Sequence, residues 1–131
     1  MLLTKEFDYA IRIIRSLSGF EKRSVRVICD EEYIPVQFAY KILKKLEISG
    51  IVIAFRGVNG GYILAKDLNF ITMHDVLISV DDNLFISDCM KPDRDCPNND
   101  GGKLCNVHQE LDKIQNSLIN MLKEKTMDMI L

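Results

Sequence analysis

Residues 34–65 read IPVQFAYKILKKLEISGIVIAFRGVNGGYILA, and this stretch decides the fold. Pro35 suits the first position of a helix, where its missing N–H costs nothing, and a helix is expected from there to about Ile48. Ala39, Ile42, Leu43 and Leu46 recur at helical spacing as one apolar stripe. Gln37, Tyr40, Lys41 and Lys44 point the other way, with Phe38 and Lys45 on the flanks. Ser49-Gly50 stops the helix, Ile51–Phe55 is β-rich, and a turn holding Gly57, Asn59, Gly60 and Gly61 leads into a second strand over Tyr62–Ala65. A hairpin directly behind a helix that presents amide and ammonium groups outward is a wing. Arg56 stands where the first strand meets the glycine-rich tip, a position from which a guanidinium can enter a minor groove.

The flanking sequence completes the pattern. Towards the amino terminus a short helix is expected over about Val25–Glu32, joined through Tyr33 and Ile34 to the helix already read, which makes a helix-turn-helix. Before it, Thr4 can cap a first helix running to about Ser18, with Phe7, Ala10, Ile11, Ile14 and Leu17 on one face and Gly19 at its end. Beyond the wing, Ile71 to about Ser79 reads as a fourth helix, with Thr72 near its start and Val76, Leu77 and Val80 supplying apolar contacts.

The next segment changes character. In SDCMKPDRDCPNNDGGKLCNVH, Cys89, Cys96, Cys105 and His108 fall in the order C-x₆-C-x₈-C-x₂-H, and three of the four cysteines of the chain lie within 17 residues. The surroundings are polar, so core packing does not account for these thiols. Disulfides, zinc and iron–sulfur ligation are the three ordinary uses of such a set. From about Leu104 the chain turns helical again. Val107, Leu111, Ile114, Leu118 and Met121 form a heptad seam, read as an oligomer interface because a protruding apolar stripe needs a partner to cover it.

Composition bounds the function. The 131 residues are 47% hydrophobic, enough for one modest core. No basic leader precedes a long apolar run, and no stretch of about 18 apolar residues occurs, so a cytoplasmic protein with no membrane partner is expected. In that compartment thiols are kept reduced, which favours metal or cluster binding over disulfides. The formal net charge of −2 hides an asymmetry: residues 1–66 carry 11 Lys and Arg against 7 Asp and Glu, whereas residues 67–131 carry 6 against 12. The front half is therefore the candidate for a polyanionic partner. No glycine-rich nucleotide fingerprint or second cofactor site appears, so neither an enzyme nor a small-molecule substrate is expected.

Taken together, MLLTKEFDYAIR at 1–12, IPVQFAYKILKKLEISGIV at 34–52, FRGVNGGYILAKD at 55–67, ITMHDVLISVD at 71–81 and the three-cysteine loop make the chain resemble the iron–sulfur cluster regulator family of bacterial winged-helix repressors. The resemblance covers nearly the whole chain. It implies a mostly α fold with a small β-hairpin: a winged helix-turn-helix domain at 1–80, a cluster-binding loop at 81–105 and a carboxy-terminal dimerisation helix at 106–131. It also implies a homodimer on a partly palindromic double-stranded DNA operator. Gln37, Phe38 and Lys41 fall on the family's reading positions, with Lys44 on the same face and Arg56 in the wing. Gln37 suits adenine and Lys41 guanine, while Phe38 can meet a thymine methyl or simply pack.

The resemblance further implies a cluster held by Cys89, Cys96 and Cys105. His108 corresponds to the fourth ligand of relatives with a two-iron (2Fe–2S) cluster, the favoured form here. Asp8 corresponds to the ligand that four-iron (4Fe–4S) nitric-oxide sensors take from the partner subunit. The cysteine intervals are longer than the family's usual ones. A zinc-stabilised DNA-binding regulator without redox sensing is the rival reading, followed by a cluster-bearing redox protein. Cys29 is read as a structural thiol and His74 as a surface or packing residue.

Overall fold

The computed structural model describes residues 3–99 and 104–131; Met1, Leu2 and the stretch 100–103 of the cysteine loop lie outside the described residues. The architecture is the expected one, five helices and a two-stranded antiparallel wing. Helix α1 spans Lys5–Ser16, α2 Val25–Glu32, α3 Val36–Ile48, α4 Met73–Val80 and α5 Asn106–Glu124; strand β1 spans Val52–Phe55 and β2 Gly61–Leu64.

Local chemistry sets most boundaries. The Thr4 hydroxyl accepts from the Phe7 N–H and starts α1. That helix ends with Leu17 as its C-cap, short of Ser18, and buries Ile13 as well as Ile14, whereas Ile11 is only partly covered. Ser24 caps α2, and Tyr33 closes it in a left-handed conformation at φ 55°. Pro35 is the N-cap of α3 rather than its first residue, because its ψ of 134° is extended. A full capping box formed by Thr72 and Asp75 places the start of α4 at Met73, later than the apolar pattern implied.

The core lies where α1, α2, α3 and α4 converge, around Ala10, Ile13, Ile14, Leu17, Ile28, Ala39, Ile42, Leu43, Leu46, Ile71 and Leu77. The apolar stripe read on α3 is the buried one, residue for residue. Polar staples brace it: Arg15 grips the buried Glu32 carboxylate with two N–H donors, and Arg12 donates to the Glu32 carbonyl at 3.2 Å.

In the wing, Val52 pairs with Leu64 and Phe55 with Gly61, so that Val52 and Leu64 face inward. Reciprocal backbone bonds between Arg23 and Tyr62, at 3.0 and 2.8 Å, fasten it to the segment before α2. The turn requires glycine. Gly57 has φ 95°, and a Cβ at Gly61 would sit 2.7 Å from the Arg23 carbonyl oxygen.

The end of the chain departs from the sequence reading. Helix α5 stops at Glu124, and residues 125–131, assigned to the dimerisation helix, double back. Thr126 pairs with Thr72, the Met127 N–H donates to the Ile71 carbonyl at 2.7 Å, and the Met127 side chain is fully buried. Burying a methionine contributes about 1.5–3 kcal/mol, enough to hold the tail against α4.

Candidate DNA-reading surface and cysteine loop

The outward face of α3 carries Gln37, Phe38, Tyr40, Lys41 and Lys44, all exposed. Phe38 is 41% exposed, and its ring is tilted against Tyr9 of α1 with centroids 6.0 Å apart. It therefore packs on one side and offers an edge on the other. Lys44 pairs with Glu47 at 3.3 Å. Arg56 is exposed at the end of β1, directly before Gly57, and has no ion-pair partner among the described residues. Lys22 stands over the Phe55 ring at 5.5 Å and adds a second positive charge beside the wing.

Tyr40 shares the face, as its spacing from Gln37 and Lys44 implied. One feature of this surface escaped the sequence reading. Glu6, from the first turn of α1, bonds both Lys41 at 2.5 Å and Lys45 at 2.6 Å, and Lys45 also donates to the Val80 carbonyl at 2.6 Å. The Lys41 and Lys45 ammonium groups hold the Glu6 carboxyl below the ordinary carboxylate range. No local pattern signals this pairing, since the partners are 35 and 39 positions apart.

The cysteine loop is stitched to the middle and the start of α5. The Ile86 N–H donates to Gln115 Oε1 at 3.0 Å. Cys89 lies in a 3₁₀ turn over Asp88–Met90, its sulfur 3.3 Å from the Ser87 hydroxyl. Asp88 pairs with Lys91 and Arg94, chiefly Lys91, and these cations lower its pKa. Cys96 precedes a 3₁₀ turn over Pro97–Asn99. Asn99 joins two thiol-bearing residues: its N–H donates to the Cys96 carbonyl at 2.9 Å, and its Oδ1 accepts from the Cys105 N–H at 2.7 Å. Cys105 is the N-cap of α5, and His108 follows in the first turn.

All four cysteines are free thiols. Cys29 is in the core, where burial pushes its pKa up, as befits a structural residue. Among the described residues no three His, Cys, Asp or Glu side chains are gathered closely enough to hold a metal. The structure thus brings Cys96, Cys105 and His108 to one end of α5 without closing them around a point. The donor set nonetheless fits a soft metal or cluster: three unpaired thiols, and a His108 Nδ1 that is buried without a hydrogen-bond partner among the described residues. Asp8 is exposed on α1 and pairs with Arg12 at 3.0 Å. His74 is half-buried on α4, away from the loop in sequence.

The seam on α5 divides in two. Val107, Ile114 and Met121 are 67%, 51% and 67% exposed, whereas Leu118 packs against the core and Leu122 is buried. No helix among the described residues is long and apolar enough to cross a membrane.

Comparison with known proteins places this geometry. A family model described as "Rrf2: Iron-dependent Transcriptional regulator" matches residues 3–131. The HTH-type transcriptional regulator NsrR of Shouchella clausii is 30% identical over 92 residues, which is 68% of this chain and 62% of that protein. The chain spans about three fifths of the length of the first curated relatives it matches. Among solved structures, T. potens IscR superposes with a TM-score of 0.73 at 18% identity, covering 95% of this chain and 82% of that one. CymR, the global cysteine regulator of B. subtilis, superposes with a TM-score of 0.71 at 17% identity, covering 95% and 92%. At these identities the two structures show a shared fold.

Proposed function

The chain belongs to the Rrf2 family of iron-dependent transcriptional regulators, and on that premise we propose that it is a cytoplasmic homodimeric repressor whose grip on DNA is set by an iron–sulfur cluster in the cysteine loop. Membership makes it a DNA-binding transcriptional regulator and not an enzyme. The observation that carries the finer reading is the tie at the head of α5, where Asn99 joins Cys96 to Cys105 and His108 follows with an unpartnered buried nitrogen.

In this reading Cys89, Cys96 and Cys105 are the thiolate ligands and His108 the fourth ligand of a two-iron cluster, with Asp8 of the partner subunit the alternative for a four-iron one. When bound, such a cluster supplies a centre sensitive to oxidation, iron loss or nitric oxide, with histidine ligation raising its potential. The protein's own part is mechanical. The loop is tied to α5 through Ile86 and Cys105; the tail of α5 is tied to the start of α4 through Thr126 and Met127; the end of α4 is tied to α3 through Lys45. A shift of the loop therefore has a bonded route to the recognition helix.

Across the dimer, Val107, Ile114 and Met121 supply the apolar contact. Residues 1–80 read DNA: Gln37 and Lys41 at base edges, the free edge of Phe38 at a thymine methyl, Lys44 at phosphate and Arg56 in the minor groove. Two such heads on a two-fold axis match a partly palindromic operator.

Anaerobic purification with iron, sulfide and zinc analysis and a visible spectrum tests the reading. Stoichiometric iron and sulfide are expected, with Cys89→Ala, Cys96→Ala and Cys105→Ala each losing them. His108→Ala should retain a more labile cluster with an altered spectrum, and Asp8→Ala should leave the spectrum unchanged. Stoichiometric zinc without iron or sulfide would falsify the cluster and leave a zinc-stabilised regulator. A four-iron spectrum sensitive to Asp8 and indifferent to His108 reverses the fourth-ligand assignment.

A further inference from the structure

Glu6 meets two lysines of the recognition helix, one with each carboxylate oxygen. The two lysines are not equivalent. Lys45 is the more covered, and it is held by acceptors from two elements, Glu6 of α1 and the Val80 carbonyl of α4. Among the described residues Lys41 has Glu6 alone, and more than half of its side chain is exposed on the face shared with Gln37 and Lys44. Glu6 is itself three-quarters covered, its side chain 24% exposed, and Lys45 pins it. One lysine is an anchor, the carboxylate is fixed by it, and the other lysine is a free arm.

That arm has two alternative acceptors. In the unbound protein it is Glu6; on DNA it is a phosphate or a base edge. Exposed ion pairs are weak enough to be exchanged, but the exchange has consequences for selectivity. On any sequence, moving Lys41 to a phosphate releases a counterion while breaking the Glu6 pair, so the net gain is small. On the right sequence a guanine edge adds directional bonds that a random site lacks. Glu6 also remains behind as a negative charge close to the backbone.

We infer that Glu6 is a specificity-setting residue of the DNA-reading surface: anchored by Lys45, it competes with DNA phosphate for Lys41 and so suppresses sequence-independent binding. The inference rests on the reading of α3 as the DNA-reading helix.

The test uses the full chain, purified anaerobically, and two duplexes of equal length across a salt series. One duplex is selected by the wild-type protein from a randomised library, and the other is of random sequence. Glu6→Gln should bind the random duplex about three- to tenfold more tightly, with a log–log salt slope steeper by about one per subunit. The selected duplex should gain less, so the specificity ratio falls. In a Lys41→Ala background the same Glu6→Gln change should have a much smaller effect, the part that comes from removing a nearby negative charge alone.

A wild-type slope in Glu6→Gln, or an equal gain with Lys41 already removed, overturns the role of Glu6 while leaving the DNA-reading assignment intact. Wild-type protein that shows no preference between the duplexes overturns both. Should Glu6→Gln lose its helical circular dichroism, Lys41→Ala alone decides. It should weaken the random duplex by less than about twofold and the selected one by about tenfold or more, and equal losses on both overturn the inference.

Discussion

The front of the molecule and its rear are built on opposite principles. Among the described residues, 1–80 hold 20 of the 22 buried hydrophobic side chains, drawn from four helices, the wing and the connections between them. The described residues of the loop and α5 contribute only Leu122, and Met127 of the tail packs into the front. The front is thus one core, closed from behind by Leu122 and Met127, that holds its surface groups at set positions. The rear holds three partly buried thiols and leaves Val107, Ile114 and Met121 exposed. Position is set in the first region by burial; in the second, on the proposed reading, it depends on the cluster and the second subunit.

Paired substitutions of isoleucine test that contrast most severely. Ile42→Ala should destabilise the chain by about 2–5 kcal/mol, because it opens a cavity in a closed core, and urea unfolding would show this at any protein concentration. Ile114→Glu should leave the unfolding midpoint of dilute protein nearly unchanged while converting the dimer to monomer in sedimentation, since burying an unpaired charge at the proposed seam is unfavourable. A stable dimer would move the interface elsewhere. Leu118 is a poorer probe than Ile114, because it also packs against the core.

The next test separates reading from sensing. Lys41→Ala and Arg56→Ala should each weaken operator binding by about 1–3 kcal/mol with iron content unchanged. Lys41→Ala should relax preference at one position in each half-site. The loss with Arg56→Ala should be greatest where the minor groove is narrow. Wild-type affinity in either variant removes that residue from the interface.

The smallest effect is a pH dependence at the seam between the two regions. Burial first, and then Lys123 of α5, lowers the His74 pKa from its ordinary 6.5, with Asp75 opposing. The unfolded chain therefore takes up the proton first. The contribution is whole above the ordinary value and is lost as pH falls from there through the folded pKa. His74→Gln should flatten the stability profile in that window, and an unchanged profile would show that protonation there is not coupled to folding. Glu6 acts with the same sign at lower pH, its contribution disappearing as pH falls through its depressed pKa.

Local information is dense in the front half and sparse behind it, which is why the two were unequally legible. The α3 stripe, the extent of α2, the Thr4 cap and the wing were readable because periodicity, caps and glycine turns act over a few residues. The inward turn of Ile13 was missed because α1 is covered on a broader face than one stripe. In the loop, polar residues without periodicity are compatible with many backbones, so the Asn99 tie between Cys96 and Cys105 had no sequence signature.

The sequence by itself determined the winged helix-turn-helix, the outward set Gln37, Lys41, Lys44 and Arg56, the thiol-rich loop and the family. The family rests on a resemblance over nearly the whole chain; the others rest on short-range spacing or on residue chemistry that does not depend on the rest of the chain. Only the tertiary structure decided that Glu6 holds Lys41 and Lys45, that Met127 folds back under Ile71, and that Met121 faces outward while Leu118 does not. Those are contacts between residues far apart in the chain or choices between adjacent helix faces, and they are settled by which surfaces the core leaves room to cover.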